Sequence, residues 1–279
     1  MLSWEQTRPA KRSLGQNFLL DPNLARKIVS CLQAEAGDRI LEIGPGQGAL
    51  TRFLLELPAQ VLAVEKDPSL ARDLKDSLPG VSLFVADAMN LDWQRLGQAQ
   101  VNRLIGNLPY NVASPLIWDL VRFFPFAQRM VFTVQKEVAL RLSAPAGNRV
   151  YGGLAVWVRN FARVKYEFSL GPQVFRPRPK VDSAVISLQP HPSDIDAPTA
   201  STLAWLIKIC FQQRRKQLKN VLKRVDTSAM QRRLLDLGVD PACRPEVLTP
   251  GQFLALAKGL VQENSHSSRP NCRFGPNQS

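Results

Sequence analysis

The residues best placed to do chemistry lie in the stretch Ile105-Gly106-Asn107-Leu108-Pro109-Tyr110. It sets an amide side chain, two consecutive backbone carbonyls and an aromatic ring at the end of an apolar run that reads as a buried strand. Pro109 has no N–H and fixes its own φ, and it pushes Leu108 toward an extended conformation. The carbonyls can then face a ligand instead of continuing a helix. A flat nitrogen base with an exocyclic amino group would find acceptors for its N–H groups here, and a ring to stack on. The competing reading is a strand end followed by a proline turn, and for this pattern in isolation it carries the larger share. The neighbouring strand ends have to decide.

Arg39–Ile43 is a short apolar strand that runs into Gly44-Pro45-Gly46-Gln47-Gly48, with a helix expected over 49–57. Glycines in such a loop let the backbone approach a nucleotide. Gly44, Gly46 and Ala49 also satisfy the dinucleotide pattern, and Glu65 lies where a ribose-binding acid is expected, so a nicotinamide enzyme stays open at this point. Glu42 argues against it. A carboxylate there would repel a pyrophosphate but suits an ammonium or sulfonium charge, unless it is a plain strand-end salt bridge. Asp87, in Val85-Ala86-Asp87-Ala88-Met89, either accepts from an adenine amino group or caps a helix. Glu65, Asp87 and Asn107 fall at the C-terminal ends of successive strands, where open α/β sheets bind ligands. Together they weigh more than any one of them.

Positioning those residues requires a sheet. Further strands are expected over 61–64, 81–86, 101–105 and 130–134, with helices over 68–78, 114–124 and 136–142; Asp21-Pro22 caps and opens an earlier helix. This alternation predicts an α/β fold, a doubly wound Rossmann-like sheet, over residues 13–190. Val164–Leu170 and Ala184–Leu188 flank a proline-rich connection and suit an antiparallel pair closing the sheet. Proline and polar residues at Pro190–Asp194 mark a boundary, and 191–262 reads as a small all-helical domain. Residues 1–12 read as a basic flexible arm and 263–279 as a disordered tail.

Within the second domain Thr202–Arg224 is expected to be one helix. Leu203, Cys210, Phe211, Leu218 and Val221 fall on one side, and Lys208, Arg215, Lys219 and Lys223 on the other. A charged face is usually only a solvated face. This one has no acid between Lys208 and Arg224, which favours phosphate contact. Arg214 falls inside the apolar stripe and is expected to meet a carboxylate of the first domain.

The 279 residues carry a net charge of +13 and 45% hydrophobic side chains, which permits a normal core and favours an anionic partner, nucleic acid first. Four cysteines with no Cys-x-x-Cys spacing and only two histidines give neither a zinc site nor a disulfide framework. No metal is expected. With neither a spanning segment nor a signal peptide, the expectation is a cytoplasmic protein without a membrane partner, and a monomer.

At this point the chain resembles the ribosomal RNA adenine-N6,N6-dimethyltransferases, in particular their small-subunit branch. The resemblance is carried by Gly15-Gln16-Asn17-Phe18-Leu19, Glu42–Gly48, Val64-Glu65, Asp87-Ala88-Met89, Gly106–Tyr110, Gln135-Lys136-Glu137-Val138, Phe175-x-Pro177-x-Pro179-Lys180-Val181-Asp182-Ser183 and Phe211–Lys216. These motifs are collinear from about residue 10 to 260. The resemblance implies transfer of methyl groups from S-adenosylmethionine to N6 of two adjacent adenosines near the 3′ end of small-subunit rRNA, with a role in small-subunit maturation. It implies that Asn17 and Leu19 close over the cofactor and that Gly44 lines its methionine portion. Glu65 would hold the ribose, Asp87 the adenine, and Asn107 both the methionine end and the target base.

On this reading the catalytic set is Asn107, Leu108, Pro109, Tyr110 and Phe175, with Tyr110 and Phe175 stacking on opposite faces of the base, unless Phe175 is only the hydrophobic plug of its loop. The RNA would be held by Lys208, Arg215, Lys219 and Lys223, with Arg176, Arg178, Lys180 and the 8–12 arm near the active-site mouth. Gln47 departs from the family pattern, which puts an apolar residue after Gly46. Two alternatives remain: a large-subunit rRNA adenine methyltransferase of the antibiotic-resistance type, and a mainly non-catalytic rRNA-binding assembly factor. A nicotinamide dehydrogenase is now remote, since it has no use for Asn107–Tyr110.

Overall fold

The computed structural model describes residues 10–11, 14–98, 100–222 and 227–266. Of the expected basic arm only Ala10 and Lys11 are among them. The chain divides into two compact units, 1–193 and 194–279.

The first unit is built on a seven-stranded sheet. Its strands are β2 (Arg39–Ile43), β3 (Gln60–Glu65), β4 (Ser82–Val85), β5 (Arg103–Asn107), β6 (Arg129–Gln135), β7 (Ala162–Leu170) and β9 (Ser183–Pro190), in the order β4-β3-β2-β5-β6-β9-β7. The run from β4 to β6 is parallel. Both faces are covered, and the central strands accordingly read as nearly continuous apolar runs, as in Met130–Val134. The chain winds outward from β2 to β4 and then returns to place β5 beside β2. That reversal opens a crevice at the C-terminal ends of β2 and β5. The antiparallel pair β7 and β9 closes the far side, with an irregularity between Tyr166 and Phe168.

Helix α1 (Pro22–Ser30) begins as its sequence dictates. The Asp21 carboxylate accepts from Asn23 N and Leu24 N, Pro22 takes the first position, and Ala25, Ile28 and Val29 face the core. The helices that follow are α2 (Thr51–Leu54), α3 (Pro68–Ser77), α4 (Trp93–Leu96), α5 (Ala113–Phe123), α6 (Lys136–Ser143) and α7 (Gly153–Phe161). Helix α2 is shorter than the expected 49–57. A tight turn from Leu57 N to Leu54 O leads into Pro58, which cannot extend a helix. Helix α7 was not foreseen because Ala155 to Val158 are all buried, which leaves no polar face to betray a helical period. A two-stranded ribbon also lies outside the expectations: β1 (Phe18–Leu19) pairs antiparallel with β8 (Phe175–Arg176), Leu19 opposite Phe175.

The second unit holds α8 (Ala197–Gln212), α9 (Leu218–Val221), α10 (Thr227–Asp236) and α11 (Pro250–His266). The single helix expected over Thr202–Arg224 is broken. Helix α8 stops at Gln212, Lys216 N turns back to Gln213 O, and Leu218 N and Lys219 N donate to Cys243 O and Pro241 O. Those tertiary bonds replace the ones a continuing helix would make. Helix α11 runs through to His266, so the tail does not begin at 263; residues 267–279 lie outside the described set. Phe211 and Phe253 pack with ring centroids 5.9 Å apart between α8 and α11.

Candidate active site

The crevice at the strand ends is lined by the segments 14–19, 42–47, 64–66, 86–89 and 107–112, together with Ala49, Leu50 and Leu116. Asn17, Leu19, Gly44, Glu65, Asp87 and Asn107 to Tyr110 therefore line one crevice.

Three carboxyls stand at or just beyond the C-terminal ends of β2, β3 and β4, each held differently. Glu65 is 5% exposed and accepts from Gly46 N at 3.0 Å and Asp67 N at 2.9 Å. Burial raises its pKa, offset in part by the backbone donors of Asp67, Gly46 and Lys66. A carboxylate keeps further acceptor sites after two such bonds, enough for a ribose hydroxyl. Glu42 is 1% exposed and receives the Thr51 hydroxyl at 2.6 Å. It has no salt bridge among the described residues, so the strand-end ion pair does not form. Burial pushes its carboxyl up to about 8, against the Thr51 bond and with Glu65 adding to the rise. Asp87 takes the capping role, accepting from Met89 N at the turn Ala88–Asn90, and also faces the crevice. Lys66 sits 2.7 Å from its other oxygen and, with that hydrogen bond as the main cause, holds Asp87 below its usual range.

The Gly-rich loop is shaped by its dihedrals and by one neighbour. Gly44 has φ +69° with open space where a side chain would stand. At Gly46, φ +56°, an added Cβ would lie 3.1 Å from the Phe18 ring. The segment 14–19 is thus pressed against the loop. It is also fastened at Lys11, whose ammonium is 2.7 Å from the buried Asp67 carboxylate. Burial raises the Asp67 carboxyl, but hydrogen bonds from Lys11 and Ser69 outweigh it and hold the group well below the usual carboxylate range. Neither Lys11 as a clasp nor Asp67 was singled out in the sequence. Asp67-Pro68 repeats the Asp21-Pro22 capping pattern, and that was the available signal.

At the end of β5, the Asn107 amide donates from Nδ2 to Asn17 O at 2.8 Å. A carbonyl can only accept, so this bond sets which end of the amide is which and turns Oδ1 away as an acceptor. Leu108 N donates to Thr133 O at 3.1 Å, while the Leu108 carbonyl accepts from no donor among the described residues. The Pro109 carbonyl is not available as expected, because Val112 N and Ala113 N bond to it as α5 begins. Tyr110 is half-buried, and its hydroxyl meets the Ser183 hydroxyl.

Phe175 requires a correction. Its ring is 2% exposed and packs with Leu19, Ile28, Leu170 and Val185 in the core beneath the loop. Burial of a phenylalanine ring contributes roughly 1.5–3 kcal/mol, which makes it the plug of that loop and not a face presented to a base. Arg176 and Arg178 beside it are exposed, as are Lys208, Arg215 and Lys219 in the second unit; Lys223 lies outside the described residues. Arg214 meets Glu246, a carboxylate of its own unit, at 3.3 Å. Among the described residues no group of His, Cys, Asp or Glu could hold a metal ion, and no helix is long and apolar enough to cross a membrane.

S-adenosylmethionine fits these residues. It carries a ribose, an adenine amino group and a cationic centre, and the crevice offers Glu65, Asp87 and a buried acid, Glu42, with no cation beside it among the described residues.

Known proteins with the same architecture agree. Residues 8–262 match the sequence model of the family described as Ribosomal RNA adenine dimethylase. Ribosomal RNA small subunit methyltransferase A of Nitratidesulfovibrio vulgaris (strain DP4) is 44% identical over 260 residues, 90% of this chain and 97% of that one. The protein of the same name from Maridesulfovibrio salexigens is 46% identical over 260 residues, 92% and 98% of the two chains. The crystal structure of a dimethyladenosine transferase from Plasmodium falciparum matches with a TM-score of 0.71 at 25% identity, covering 89% of this chain and 98% of that one. On this sequence, fold and crevice, the chain belongs to the ribosomal RNA adenine dimethylase family.

Proposed function

We propose that this protein transfers methyl groups from S-adenosylmethionine to N6 of two adjacent adenosines near the 3′ end of small-subunit rRNA, giving N6,N6-dimethyladenosine. The observation that carries the reading is the pair of acceptors at the end of β5: Asn107 Oδ1, oriented by the bond to Asn17 O, and the unused Leu108 carbonyl. The relatives at 44% and 46% identity bear a small-subunit name, which favours that branch over the large-subunit one.

An adenine amino nitrogen is a poor nucleophile because its lone pair is delocalised into the ring. Accepting its two hydrogens at Asn107 Oδ1 and Leu108 O favours a pyramidal nitrogen and leaves the lone pair available. Bound S-adenosylmethionine supplies an electrophilic sulfonium methyl. The chain's own contribution is positioning and fixed dipoles. No strong general base is required, since the methylated amine sheds its proton readily. Glu65 holds the ribose hydroxyls, Asp87 the adenine, and Glu42, neutral in the ligand-free crevice, gives up its proton when a positive charge enters beside it. Leu19 and Asn17 cover the ligand, and Gly44 leaves room for its methionine portion.

The target base has to leave its stack at a cost of about a few kcal/mol, and Tyr110 offers it a ring in return. Lys208, Arg215, Lys219 and Lys223, with Arg176 and Arg178, would neutralise phosphates of the rRNA, consistent with a net charge of +13. The substrate is then the small ribosomal subunit or its precursor, met by a monomer in the cytoplasm. The domain roles follow: 13–190 for methyl transfer and 191–262 for RNA contact. The test is to incubate the protein with labelled S-adenosylmethionine and unmethylated small subunits and to locate the methyls by mass spectrometry. Two neighbouring dimethyladenosines near the 3′ end are expected; label elsewhere, or none, overturns the proposal.

A further inference from the structure

We infer that Ser183 is a positioning residue for the target adenine: its hydroxyl holds the Tyr110 ring where the base stacks, a role that rests on the function proposed above. Tyr110 stands half-buried on the wall of the crevice, where an aromatic side chain with nothing at its far end samples more than one χ1 well. Its phenolic oxygen lies 2.5 Å from Ser183 Oγ. That oxygen sits on the long axis of the ring, so the bond fixes where the axis points, and packing against the wall sets the ring plane. With Phe175 buried beneath the loop, Tyr110 is the ring left to carry the stack.

Ser183 is well made for an anchor. It is fully buried at the first position of β9, in register with Gln135 of β6 and Leu170 of β7. The preceding residue is clamped as well: Lys136 N donates to Asp182 O at 2.9 Å, and Lys136 Nζ lies 3.1 Å from the Asp182 carboxylate. None of these contacts uses the Ser183 hydroxyl. Ala184, Val185 and Ile186 follow it as fully buried apolar residues, and an apolar residue would serve the core at 183 equally well. A buried hydroxyl is costly unless it is bonded, and among the described residues the only bond Ser183 makes with it is to Tyr110. The antiparallel strand pair added to the parallel sheet thus ends as the brace behind a substrate-facing ring.

The test compares wild type, Ser183→Ala, Ser183→Thr, Tyr110→Phe and the double variant Ser183→Ala/Tyr110→Phe. The readouts are methylation kinetics on unmethylated small subunits, S-adenosylmethionine affinity and thermal unfolding. Ser183→Ala should lower kcat about fivefold, the worth of one ordinary hydrogen bond. Cofactor affinity should not move, and Ser183→Thr should restore turnover. Tyr110→Phe should lose the same factor, with no further loss in the double variant. Full turnover in Ser183→Ala, multiplicative losses in the double variant, or a parallel loss of cofactor affinity would overturn the assignment. Should Ser183→Ala fail to fold, Tyr110→Phe alone decides, since full turnover there removes the role of the bond. A wild type that methylates nothing sinks the proposed function and this role with it; an active wild type beside an unaffected Ser183→Ala sinks only the role.

Discussion

Glu42, Glu65 and Asp67 are each no more than 5% exposed, and each accepts a hydrogen bond from a fixed donor of the fold. Lys208, Arg215 and Lys219 stand exposed on the second unit, on α8 and around the break that follows it. The acids are placed by strand register and by backbone N–H groups, so their geometry is over-determined. The cations are placed only by the helix or turn that bears them, and their tips remain solvated. A site that must align atoms for a reaction uses the first construction, whereas one that only neutralises phosphates can use the second. Single substitutions should therefore be severe in the crevice and graded on the basic surface.

The sharpest test of that contrast is Asn107→Ala, which removes an acceptor from a prearranged pair. Methyl transfer should fall by about 10²–10³ with RNA binding nearly intact, as seen by single-turnover assays beside filter binding. Normal turnover would show that the amide is only a strand end. Next is Glu65→Ala, expected to weaken S-adenosylmethionine binding about 10- to 100-fold by calorimetry, since it deletes a charged acceptor and releases Gly46. An unchanged affinity would mean the ribose is held elsewhere.

On the basic side, Lys219→Gln with Lys223→Gln should cost only a few-fold in rRNA affinity at moderate salt. The slope of log affinity against log salt should flatten by about 1.5. A constant slope would exclude that surface as the RNA grip.

The mildest effect concerns pH. Burial pushes Glu42 up to about 8, so the folded protein favours its neutral form. Its contribution to stability is complete below the ordinary glutamate range and is lost as pH rises toward about 8. Between pH 7 and 8 the ligand-free wild type should lose about 1 kcal/mol relative to Glu42→Gln in parallel denaturant titrations. Coincident pH profiles would mean that Glu42 titrates as an ordinary surface acid.

What could be read from the sequence follows the same division. Period and capping revealed the parallel strands, α1 and the acids at the strand ends, because those depend on residues close in the chain. The break after Gln212 was hidden, because the bonds that replace the helix come from Pro241 and Cys243. Phe175 was misplaced for a similar reason. Its motif announces an aromatic on a stiff loop, but only the pairing with Leu19 and the near-complete burial of the ring show that it turns inward. Arg214 sits in an apolar stripe and so needs a carboxylate, but that Glu246 supplies one depends on a fold 32 residues further on. Helix α7 was invisible for lack of a polar face, and the role of Ser183 lay in a contact with Tyr110 that no local pattern encodes.

The two-residue ribbon of Phe18 and Leu19 with Arg176 and Phe175 has a consequence for how the protein comes into being. Phe18 and Leu19 leave the ribosome long before Phe175 and Arg176 and cannot take their place until those have followed, because half of the ladder is not yet made. Local helices and neighbouring parallel strands can form earlier, whereas a pairing of such long range closes late. Asn17, which orients the Asn107 amide, immediately precedes that ribbon. A nascent chain therefore holds no finished crevice until residue 176 has emerged.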